Sequence, residues 1–98
     1  MEAITRPING NLTVRRELTL RGMVTGNITV LKGGVLDFQG TCNKDLILEE
    51  GSKVSLGGLV NGNVVNRGEL HVSGTVNGYV HTDDRGKTVV DPGAKIKN

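Results

Sequence analysis

The chain has 98 residues, which allows one small domain; it holds 15 Gly, one Phe, one Tyr and no Trp, at a formal net charge of +2. Gly is spread along the whole chain and Ala occurs only at Ala3 and Ala94, which argues against a helical bundle, and Gly at irregular spacing with two Pro excludes collagen. A hydrophobic content of 36%, many β-branched residues and a net charge of only +2 exclude a disordered chain.

The first nine residues, with Pro7 placed just before the first coil, read as an N-terminal arm or cap. A repeat then begins. Gly10-Asn11-Leu12-Thr13-Val14 returns as Gly26-Asn27-Ile28-Thr29-Val30, Lys44-Asp45-Leu46-Ile47-Leu48, Gly62-Asn63-Val64-Val65-Asn66 and Gly78-Tyr79-Val80-His81-Thr82, at spacings of 16, 18, 18 and 16. A second motif keeps step with it: Leu18–Gly26, Leu36–Lys44, Val54–Gly62 and Leu70–Gly78. Length varies only in the links at Arg15–Glu17, Leu31–Val35, Glu49–Lys53 and Arg67–Glu69, which marks them as exposed corners.

Within each unit apolar and polar residues alternate for a few positions and then meet Gly, which is strand periodicity with turn punctuation. A mean period of about 17 residues with no helical half matches one coil of a parallel β-solenoid with three short strands per coil. Five inward columns follow. They are Leu12/Ile28/Leu46/Val64/Val80; Val14/Val30/Leu48, turning polar at Asn66 and Thr82; Leu18/Leu36/Val54/Leu70; Leu20/Phe38/Leu56/Val72; and Val24/Cys42/Val60/Val76. A core this narrow explains the scarcity of aromatics. The expected organisation is an arm or cap at 1–9, solenoid repeats over 10–82 and an incomplete last coil or C-terminal cap at 83–98.

Charge and chemistry narrow the function. Segments 1–21, 22–78 and 79–98 carry +2, −1 and +1, so no basic stripe forms, and stacking aromatics are missing; a nucleic-acid partner is not expected. The single Cys42 sits in an inward column and reads as a small hydrophobe. His71 and His81 fall on different motifs, and Glu49-Glu50 and Asp83-Asp84 match no calcium-loop spacing, so no catalytic, cofactor or metal site is expected. Coils of 16 break the 18-residue period of left-handed acyltransferase solenoids, and the Thr13/Thr29 row that would suit ice binding stops at Ile47. One unpaired Cys and the lack of a secretory signal or a bilayer-spanning apolar run point to a cytoplasmic protein without a transmembrane segment. Ile47 and Val65 point outward on adjacent coils, Leu31 extends that patch, and Tyr79 takes a corner slot that other coils give to Asn or Asp. These four residues are the candidate interface.

The run Gly22–Ile28, with its relatives at Gly58–Val64 and Gly74–Val80, resembles the bactofilins, bacterial polymer-forming cytoskeletal proteins. The likeness spans roughly residues 10–80. It implies a right-handed triangular β-helix of about five coils, nucleotide-free self-association through the coil ends, and a scaffold role that can lie at a membrane surface. Pro7 and Pro92 near the two ends point to the alternative, since a missing N–H blocks strand addition. In that reading the chain is a capped binding module that neutralises a protein partner, in the manner of an immunity protein or antitoxin.

Overall fold

The computed structural model describes residues 2–97. Among the described residues sixteen short strands follow one another without a helix. The first coil positions hold β1 (Glu2–Ile4), β2 (Leu12–Val14), β3 (Glu17–Leu20) and β4 (Met23–Val24). Next come β5 (Ile28–Val30), β6 (Val35–Phe38), β7 (Thr41–Cys42), β8 (Leu46–Leu48), β9 (Lys53–Leu56) and β10 (Leu59–Val60). The remainder are β11 (Val64–Asn66), β12 (Glu69–Val72), β13 (Thr75–Val76), β14 (Val80–Thr82), β15 (Lys87–Val90) and β16 (Lys95–Ile96).

Every pairing is parallel and joins strands one coil apart. Sheet A runs β1-β3-β6-β9-β12-β15, sheet B runs β4-β7-β10-β13-β16, and sheet C runs β2-β5-β8-β11-β14. The chain visits the three sheets in turn, so the protein is a parallel β-solenoid of about five turns with a triangular section. The register reproduces the five columns residue for residue. It also extends them. Ile4 stands on Leu20 and Ile8 bridges to Val24 at one end, while Val90 stands on Val72 and Ile96 on Val76 at the other.

The local cause is the alternation itself. Strands such as Lys53–Leu56 and Glu69–Val72 bury every second side chain. Eighteen hydrophobic side chains from Val14 to Val76 form one core, and burying each Val or Leu contributes roughly 1.5–3 kcal/mol before chain entropy is subtracted. Two C-to-A corners turn through Gly33 and Gly51 at φ of 85° and 83°, a backbone region that favours glycine.

The second column turns polar at Asn66, in register between Leu48 and Thr82. The Asn66 side chain is fully buried, donates from Nδ2 to Lys87 O and Thr88 Oγ1 (both 2.8 Å), and accepts Gly68 N–H at Oδ1 (2.9 Å). Residues 87 and 88 of the last coil lie over it and satisfy it. Asn66→Ala strands the Gly68 N–H, and the expected loss is about 1–3 kcal/mol in urea unfolding.

Candidate interaction surfaces

The described residues hold no group of three or more His, Cys, Asp or Glu placed to bind a metal ion. Cys42 is buried, with its sulfur 3.6 Å from Gly26 O and 3.5 Å from Asp45 O. Burial pushes its thiol pKa up, which favours the neutral thiol over the nucleophilic thiolate. His71 and His81 lie on β12 and β14, hence on different sheets. His71 nevertheless has a carboxylate partner, since its Nε2 sits 2.7 Å from Asp91 Oδ1. That contact was invisible in the sequence because Asp91 belongs to the irregular turn before Pro92 rather than to the repeat.

The outer face of sheet A carries an open groove of about 360 Å³. Val35, Lys53, Glu69 and Lys87 form one bank, and Asp37, Ser55, His71 and Val89 the other. Lys53 pairs with Glu69 at 3.6 Å.

The outward row of sheet C reads Thr13, Thr29, Ile47, Val65, His81 in register. Ile47 and Val65 are therefore stacked neighbours, each half-buried. Leu31 is also half-buried but lies one step off that row, at the C-to-A corner, where its N–H donates to Val14 O. The same corner carries charge along the axis. Arg67 reaches Glu49 (3.4 Å) and Asp83 (3.8 Å), and Arg85 reaches Glu50 (2.8 Å). Arg15 and Arg16 occupy this corner in the first coil and make no ion pair among the described residues.

The B-to-C corner is held by a ladder of side-chain carbonyls. Asn11, Asn27, Asp45 and Asn63 each accept, at Oδ1, the N–H of the corresponding residue one coil on, at 2.8–2.9 Å. Tyr79 donates the last of these N–H groups, to Asn63 Oδ1, and has no Oδ1 to accept one in turn. It is 54% exposed, with Lys97 Nζ 5.6 Å from the ring centroid. A second ladder, Asn43–Asn61–Asn77 at 3.2 and 2.9 Å, runs beside it. The sequence signal for that ladder was the Asn recurring two residues before Asp45, Asn63 and Tyr79.

The two ends of the solenoid expose strand edges. At the C-terminal end β14, β15 and β16 are the last strands of their sheets, and Val89 and Val90 are 46% and 48% exposed. At the N-terminal end β1 and Ile8 cover sheets A and B, while β2 forms the edge of sheet C. The step between β1 and β2 opens a cavity of about 370 Å³ lined by Ile4, Leu12, Thr13, Val14, Arg15, Arg16 and Leu18.

This arrangement defines a solenoid whose distinctive chemistry lies in open strand edges and apolar column ends. No family model, curated protein or solved structure matches the chain.

Proposed function

We propose that the protein is a non-enzymatic structural scaffold of bactofilin-like type that self-associates through its solenoid ends. The observation that carries this reading is the pair of solenoid ends, where β1 and β2 at one end and β14, β15 and β16 at the other are the last strands of their sheets among the described residues and the core columns run out to the surface. An exposed parallel edge is a template for another strand, and covering it would pair backbone groups and bury Val90, Ile96 and Leu12 together. A cytoplasmic setting, with peripheral contact to a membrane surface, belongs to the same proposal; no helix among the described residues is long and apolar enough to cross a membrane.

Sedimentation velocity and negative-stain microscopy across a concentration series test it. The expected result is a ladder of species that lengthen along one axis as concentration rises. A single small species at every concentration contradicts it and favours the capped binding module.

The stacked Ile47 and Val65 on sheet C support a second, lateral contact surface. Placing Glu at both positions is expected to leave the chain folded by circular dichroism and its end-on ladder intact, while removing side-by-side pairing. Loss of the whole ladder in this double variant would move the primary contact from the ends to this face.

A further inference from the structure

We infer that residues 2–9 are a displaceable internal cap, occupying the places that the C-terminal end of a second copy takes when the solenoid grows. This rests on the end-to-end reading above and adds how the contact is regulated and which strands form it.

The inference follows from the stepped ends. β1 stands on β3 in sheet A and Ile8 on Val24 in sheet B, but among the described residues no strand stands on β2 in sheet C. At the other end β14 closes sheet C, and β15 and β16 close sheets A and B just after it along the chain. If a second copy docks with its arm in place, β15 and β16 meet β1 and Ile8, and sheet C is left one strand short between β14 and β2. If the arm lifts away, β14 meets β2, β15 meets β3 and β16 meets β4, with every sheet at its ordinary strand spacing of roughly 4.8 Å. The strands match in length, at three, four and two residues respectively.

The side chains match as well. Val80 comes over Leu12, Val90 over Leu20 and Ile96 over Val24, continuing three apolar columns. Asp83 and Asp84 come over Arg15 and Arg16, the corner arginines that lack an ion pair among the described residues. The arm imitates this contact. Ile4 O accepts Arg21 N–H at 2.8 Å and Ile8 O accepts Thr25 N–H at 3.0 Å. The register gives Val90 O and Ile96 O of a second copy the same two roles.

The arm is also lightly held. It contributes one three-residue strand and one isolated bridge, and Ile4 and Ile8 are half-buried. Gly10 joins it to β2 at φ 101°, with open space where a side chain would lie, and so provides a hinge. Apparent affinity falls by the fraction of copies whose arm is open, so removing the arm removes that penalty.

Three forms of the chain test this: intact, lacking residues 2–9, and Ala3→Cys/Thr19→Cys. Ala3 and Thr19 are direct partners in register, and an oxidised pair there locks the arm shut. The shortened chain is expected to assemble at a concentration at least about tenfold lower than the intact chain, a difference worth about 1.4 kcal/mol. The oxidised double-Cys chain is expected to stay unassembled until reductant is added. Cryo-electron microscopy of the assemblies is expected to give an axial repeat of about 24 Å per copy, five coils at the ordinary spacing.

If the shortened chain does not fold, the locked chain and the axial repeat decide. Assembly of the locked chain equal to that of the intact chain overturns the cap while leaving end-to-end association standing. So does a repeat of about 29 Å, which retains the arm as a sixth coil. Failure of all three forms to assemble overturns the end-to-end reading itself.

Discussion

Gly40→Ala is expected to destabilise the protein by about 3 kcal/mol or more. Gly40 belongs to a stack at the A-to-B corner formed by Gly22, Gly40, Gly58 and Gly74. A Cβ at Gly40 would run into the carbonyl oxygen of Gly22, one at Gly58 into that of Gly40, and one at Gly74 into that of Gly58. The obstacle is backbone held by a ladder on both sides, so no side chain can swing away to make room. A methyl group there pushes two coils apart along the axis. Nearest-neighbour coupling then carries the damage, because each coil depends on the next for its hydrogen bonds and half of its core. Urea unfolding should show the midpoint falling steeply for Gly40→Ala. Gly93→Ala, at a position where a Cβ meets nothing within 4 Å, should leave it nearly unchanged. Equal midpoints for the two variants would mean that the corners are not in close contact.

Phe38→Ala is the second large effect, at about 3–5 kcal/mol. Phe38 is the largest fully buried side chain and stands between Leu20 and Leu56 in its column. Removing the ring leaves a void that the flanking sheets cannot close, since both are fixed by backbone ladders. Phe38→Leu restores the repeat's own choice at that column and should cost less than about 1.5 kcal/mol. Domains of this kind hold only about 5–15 kcal/mol in total, so the alanine variant should lose a large share of its stability at 25 °C. Thermal and urea unfolding of the pair measure the difference directly. A loss as large for Leu as for Ala would mean that ring shape, not volume, is what the layer requires.

The solenoid is legible in the sequence because two signals coincide. The constant distance from Leu18 to Gly26, repeated from Leu36, Val54 and Leu70, aligns the coils, and alternation within each strand assigns the inward face. The outward placement of Ile47 and Val65 and the corner slot of Tyr79 follow from the same two rules. The ends are harder to read. The four-residue step from Ile4 to Ile8 repeats that from Leu20 to Val24, but Pro7 and Arg6, which stands where the later coil has the corner glycine Gly22, hide it. Between Val90 and Ile96 the turn Asp91-Pro92-Gly93 lengthens that step to six. Asn66 resembles a polar column end until Lys87 O and Thr88 are placed over it. The His71–Asp91 contact and the stepped ends belong to three-dimensional register, which no local pattern carries.

The central claim is that copies of this solenoid continue one another's sheets along a common axis. X-ray diffraction from oriented assemblies tests it most directly. The expected pattern has a meridional reflection near 4.8 Å, because the strands of every copy lie across the assembly axis. Assemblies with that reflection on the equator, or a protein that remains a single small species at every concentration, would contradict it.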